Sequence, residues 1–124
     1  MKLVASLLGL LLNLGLIVQA DVISDMVQVT KELGIGECNR TRFLQANSEQ
    51  VTCFQVNVNN IQTICSEIAK SMECLTETFS ECWTPEGITK YKAVSLRYML
   101  QTTPSENTEE FQNCPTFKEI FGNR

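Results

Sequence analysis

Residues 61–82, IQTICSEIAKSMECLTETFSEC, decide the fold. Ile61, Cys65, Ile68, Met72, Leu75, Phe79 and Cys82 recur at intervals of three and four, with Ile64 alongside, the spacing that stacks side chains on one face of an α-helix. The other positions are mostly polar, so the segment reads as one long amphipathic helix. A helix rises about 1.5 Å per residue, which sets Cys65, Cys74 and Cys82 on the order of 12 Å or more apart, beyond the ~7 Å Cα separation that a disulfide tolerates. None of the three can bond another. Each must reach Cys38, Cys53 or Cys114, so the helix is tied to the rest of the chain at several points.

The flanking sequence supplies further helices. Val22, Met26, Val29 and Leu33 form an apolar face, with Ile23 and Val27 beside it, stopped by Gly34 and Gly36. Asn39 is placed to cap a second helix through Phe43, Leu44, Val51 and Phe54. Phe54, Val56 and Val58 then alternate with Gln55, Asn57 and Asn59, a two-residue period that suits an extended link over 55–60. Thr84-Pro85-Glu86 caps a fourth helix carrying Ile88, Tyr91, Ser95 and Tyr98, with Pro at the first helical position, where its missing N–H costs nothing. Thr103-Pro104-Ser105-Glu106 repeats the device and predicts a capping box by Glu106 and a short helix to Cys114. A last apolar turn spans Phe117 to Phe121. These elements predict an all-α fold, a small disulfide-stapled bundle of about four to five helices with three disulfides.

Geometry also predicts the pairing. A hairpin of helices two and three about residue 59 sets Cys53 opposite Cys65 and Cys38 opposite Cys82. Cys74 lies nine residues from Cys65, about 180° of helix rotation, and so is left for Cys114.

Met1 and Lys2 precede an apolar run from Leu3 to Val18, and Val18-Gln19-Ala20 offers small residues for signal peptidase. Cleavage is expected after Ala20, giving a leader over 1–20 and a single helical disulfide-rich domain over 21–124. The run of 16 residues falls short of the ~20 that span a bilayer, so no membrane anchor is expected. Six cysteines behind an export signal predict a secreted, extracellular protein, because bridges persist only in an oxidising compartment. With Lys2 gone, nine basic residues face fourteen acidic ones for a net charge of −5, which argues against nucleic acid as a partner.

The chain has no histidine, which removes Ser/His/Asp and Cys/His catalysis and histidine-bound zinc. No close cysteine pair suggests a Cys-only metal site, no Asp-x-Asp loop suggests calcium, and the scattered carboxylates nominate no acid/base pair. No enzyme activity and no cofactor are expected. Glu73, Glu77 and Glu81 recur every four residues on the third helix. They are read as a solvated face, with a patch for a basic partner as the sharper alternative. Asn39-Arg40-Thr41 is the one glycosylation sequon, and helix capping accounts for its asparagine equally well. Phe43, Phe54, Phe79, Trp83, Tyr91, Tyr98 and Phe111 are expected in a packed core.

The Cys65, Cys74-Leu75, Cys82 run, with two earlier cysteines and a late one at Cys114, resembles a group of invertebrate secreted helical cysteine-rich proteins whose function is not established. It brings no functional residues across. Insect odorant-binding proteins separate their second and third cysteines by three residues, whereas eleven separate Cys53 and Cys65 here. The expected role is a non-enzymatic binding protein acting by contact with another extracellular protein, with a carrier of a small hydrophobic ligand as the alternative.

Overall fold

The computed structural model describes residues 17–122, and the leader expected over 1–20 lies outside them as far as residue 16. The described residues form six α-helices: α1 (Ile17–Leu33), α2 (Arg40–Glu49), α3 (Ile64–Phe79), α4 (Pro85–Thr102), α5 (Thr108–Asn113) and α6 (Pro115–Phe121). Two 3₁₀ segments, Gln50–Phe54 and Ser105–Asn107, complete them, and no strand occurs among the described residues. The chain is all-α with three disulfides. The last apolar turn is itself a helix, which brings the number to six.

Helix α3 is the axis. Ile64, Ile68, Met72, Leu75 and Phe79 are all buried, so the apolar stripe is the core face. Around it pack α2 with the first 3₁₀ segment, α4, α5 and α6; α1 lies on α4. Val22 is fully buried on α1, and Met26, Val29 and Leu33 pack against the core behind it. Ile61 falls outside α3 and is 47% exposed, because the helix begins at Ile64 after a turn over 61–63.

The caps divide. Asn39 Oδ1 accepts from Arg42 N at 2.7 Å, and Thr84 Oγ1 accepts from Gly87 N at 3.1 Å, with Pro85 opening α4. No capping box forms at Glu106. Ser105–Asn107 coils as a 3₁₀ turn, α5 begins at Thr108, and neither start carries a side-chain cap. Asn107 is buried instead, and its amide donates to the carbonyls of Val58 (3.2 Å) and Asn59 (3.0 Å), which draws residue 107 inward.

Cys38 is joined to Cys82, as expected, but the other two bridges exchange partners: Cys53 is joined to Cys74, and Cys65 to Cys114. The cause is the link over 55–60. A tight hairpin at residue 59 would have set Cys53 beside the start of α3. The extended chain, rising up to about 3.3 Å per residue, instead covers the ~13.5 Å that nine helical residues occupy. It runs back along α3, antiparallel to it. Ser71 Oγ donates to the Cys53 carbonyl at 2.6 Å, and Asn57 N donates to Glu67 Oε1 at 2.9 Å, so residues 53 and 57 lie beside successively earlier turns of α3. Val56 and Val58 turn toward the core while Gln55, Asn57 and Asn59 face solvent. The half-turn between Cys65 and Cys74 is preserved, with Cys74 toward the 3₁₀ segment and Cys65 toward the C-terminal helices.

An aromatic cluster closes one end. Trp83 stacks on Phe79 with centroids 4.0 Å apart and an interplanar angle of 12°, Tyr91 meets both edge-on, and Phe43 covers Trp83 at 6.1 Å. Trp83 Nε1 donates to the Gly34 carbonyl at 2.8 Å, which satisfies the indole and pins the turn after α1. Phe79, Trp83, Tyr91 and Phe111 are buried, as the packed-core reading requires, whereas Phe43, Phe54 and Tyr98 are partly so.

Gly36 has φ of +66°, and a Cβ there would overlap the Cys82 carbonyl oxygen, which accepts from Glu37 N at 2.7 Å. Gly34 has φ of +59° but open space around it. Gly36→Ala should therefore cost roughly 2 kcal/mol or more, and Gly34→Ala only about 1 kcal/mol, in denaturant melts of the oxidised protein. Burial holds the Tyr91 phenol above its ordinary value of 10.0. The unfolded chain then loses this proton first as pH rises, so folded-state stability is full below pH ~10 and falls as pH climbs toward the folded value. Melts at pH 8 and 10.5 should show this loss, and Tyr91→Phe should remove part of it.

Candidate functional site

The members of the acidic repeat, Glu73, Glu77 and Glu81, meet different neighbours. Glu73 and Glu77 are exposed and stand together on one wall of a groove of about 470 Å³, faced by Glu119 of α6, with Met72 and Ile120 at its base. Glu81 lies beyond the end of α3 and is engaged elsewhere, its carboxylate 3.5 Å from Arg42 Nε. Arg42 also contacts Glu49 at 3.2 Å and the Thr78 carbonyl at 3.4 Å. The backbone keeps a helical turn past Phe79, with Trp83 N donating to the Phe79 carbonyl at 3.0 Å, so Glu81 follows Glu77 by about one turn and is drawn to Arg42 at the end of the row. Lys92 of α4 lines the same groove and offsets part of its charge.

A second groove, of about 630 Å³, lies between Arg97 of α4 and Phe117, Lys118 and Phe121 of α6. Arg97 is held by Asp25 of α1 at 3.1 Å. Both grooves are bordered by exposed charged side chains, the second also by the amides of Gln112 and Asn113.

The third differs in kind. Val27, Thr30, Lys31, Gly34 and Ile35, from α1 and the turn after it, face Phe43 of α2 across about 340 Å³. Val27 is 49% exposed, Ile35 43%, and Ile23, one turn before Val27, 49%. These side chains occupy the side of α1 turned away from Val22, Met26, Val29 and Leu33, which pack on the core. Helix α1 is therefore apolar on two faces, and only one is covered. The sequence carried this signal, since Ile23 and Val27 stand beside the first stripe at helical spacing. What it lacked was the placement of Phe43 opposite them, which the Cys38–Cys82 bridge and the Phe43–Trp83 contact fix.

All six cysteines are bridged, so no thiol is present to act as nucleophile or ligand. Among the described residues no group of three or more His, Cys, Asp or Glu side chains is arranged to hold a metal, and no helix is long and apolar enough to cross a membrane. Asn39 is exposed and caps α2 through Oδ1 alone. No protein-family model, curated protein or solved structure matches the chain.

Proposed function

We propose that the chain is an exported, non-enzymatic binding protein that acts by contact with another extracellular protein. The observation that carries this reading is the distribution of apolar surface. The interior is occupied by interlocking side chains, Phe79, Trp83, Tyr91 and Phe111 among them, while an uncovered apolar face lies outside on α1 and α2. A carrier keeps its ligand within an apolar cavity that buries about 70–90% of the ligand surface. The grooves described above instead lie at the surface, and apart from Met72 the side chains that line them are half-exposed or exposed. Exposed apolar surface of this kind serves protein contacts as well as ligand grooves, and the openness of the α1–α2 patch to solvent favours the first.

Export is part of the same proposal. The leader over 1–20 and the three bridges support it, with Asp21 as the first residue of the secreted chain. So is a glycan on Asn39. Capping uses Oδ1, whereas an N-glycan is carried on Nδ2, so the two roles of this asparagine are compatible.

Two measurements on protein purified natively from the secreting cell test the reading. Solvent extraction and mass spectrometry should release no apolar small molecule at stoichiometric amount; recovery of one in a fixed ratio would favour the carrier. Thr41→Ala, which leaves the Asn39 cap in place, should abolish a glycosidase-sensitive mass increment. Absence of any such increment in the unaltered protein removes the glycan from the proposal.

A further inference from the structure

The groove bordered by Glu73, Glu77 and Glu119 adjoins a smaller hollow of about 210 Å³, since Thr76 and Lys92 line both. Together they make one furrow. Ala69, Glu73, Thr76 and Ser80, at intervals of four and three, line it from α3 and its C-cap, so it follows that helix for about three turns, on the order of 16 Å. Helix α4 supplies the far wall at one end, through Ile88 and Thr89, and α6 at the other, through Glu119 and Ile120. The charge in the wider part is lopsided. Three exposed carboxylates, Glu73, Glu77 and Glu119, stand against the one ammonium of Lys92, and none of the four is in an ion pair among the described residues. The groove at Arg97 is balanced by contrast: Asp25 holds Arg97, and Glu109 stands with Lys118. Carboxylates over the apolar Met72 and Ile120 match what an arginine or lysine side chain requires, whose stem lies along hydrocarbon while its charged end meets an anion. Anionic lipid and nucleic acid are repelled by the same carboxylates.

We infer that this furrow receives a basic segment of a protein partner, with arginine or lysine stems over Met72 and Ile120 and their cations on Glu73, Glu77 and Glu119. The inference rests on the contact reading above and adds to it a second surface and the charge of the partner. The furrow runs on past the carboxylates toward Trp83 and Ile88, which suits a stretch of peptide better than a single small amine. Lys92, where the two hollows meet, opposes the incoming cations and holds them toward the α6 end. Each exposed ion pair contributes little, so selectivity comes from the three carboxylates acting together.

The test titrates the oxidised secreted chain, labelled with ¹⁵N, with two synthetic peptides of one apolar framework, the first bearing arginines and its twin glutamates in their place. The arginine peptide should bind, with amide shifts centred on Glu73, Glu77, Glu119 and Ile120, and the twin should not. Glu73→Gln combined with Glu77→Gln should weaken the arginine peptide about fivefold, and Lys92→Ala should strengthen it about twofold. Far-UV dichroism checks that each variant is folded. Glu106→Gln combined with Glu110→Gln removes the same charge from residues that do not line the furrow, and should leave the affinity nearly unchanged. An equal loss in that control, or shifts spread over the whole acidic surface, makes the row a solvated face and overturns the inference, as does failure of the arginine peptide to bind. Butylamine binding as tightly as the peptide assigns the furrow to a small cation and likewise overturns it. Shifts centred on Val27, Ile35 and Phe43 instead overturn it while leaving the contact reading standing. Failure of the contact reading itself is read separately, by stoichiometric release of a small molecule on extraction.

Discussion

The half-turn of helix between Cys65 and Cys74 governs the arrangement of everything else. Nine residues at 3.6 per turn place the two cysteines on opposite sides of α3, and each is fastened to a different part of the chain, Cys74 to the 3₁₀ segment after α2 and Cys65 to the junction of α5 and α6. A single helix is thereby held from two sides. Cys82, just past its end, adds the third tie, to the turn between α1 and α2. Bridges of this kind stabilise by about 2–4 kcal/mol each, chiefly by restricting the unfolded chain. In a domain of this size that is a large share of a net stability of roughly 5–15 kcal/mol. The short helices α5 and α6 are too brief to persist alone, and the Cys65–Cys114 bridge fixes the point at which they meet α3.

Much of this was legible in the residues. The apolar stripe of α3, the caps at Asn39 and Thr84, the link over 55–60 and the inability of Cys65, Cys74 and Cys82 to bond one another all follow from spacing and local geometry. The partners of Cys65 and Cys74 did not follow, because the direction taken by an extended link depends on which face of α3 receives it. That face is marked by Glu67, Ser71, Cys74 and Thr78, a second stripe at helical spacing. Ser71 and Thr78 are buried, and Ser71 and Glu67 accommodate the backbone of residues 53 and 57 through hydrogen bonds. A polar stripe on an amphipathic helix is ordinarily solvated. Here it is a docking face for another backbone, and hydrophobic periodicity alone does not distinguish the two. The capping box at Glu106 failed for a related reason: the buried Asn107 amide serves the carbonyls of the same link, and the local signal yields to that tertiary contact.

The functional surface was less legible. The acidic repeat at Glu73, Glu77 and Glu81 is regular in sequence, and what its members touch is not: Glu73 and Glu77 border a groove with Glu119, and Glu81 meets Arg42. The uncovered face of α1 appeared only as extra apolar residues beside the main stripe. Its meaning depends on Phe43, brought opposite by the Cys38–Cys82 bridge and held against Trp83. The same aromatic cluster that fills the interior therefore shapes the outer groove, and disturbance of the Gly34–Gly36 turn reaches both.

The bridge pattern underlies the whole fold, because exchanging two bridges would move the link, the C-terminal helices and the faces of α3 together. Proteolysis of the unreduced protein under acidic conditions, followed by mass spectrometry of the linked peptides, measures it. The structure requires peptides joining Cys53 to Cys74 and Cys65 to Cys114 alongside Cys38 to Cys82. A peptide joining Cys53 to Cys65, with Cys74 bound to Cys114, would restore the tight hairpin and contradict the antiparallel link on which this description of the fold depends.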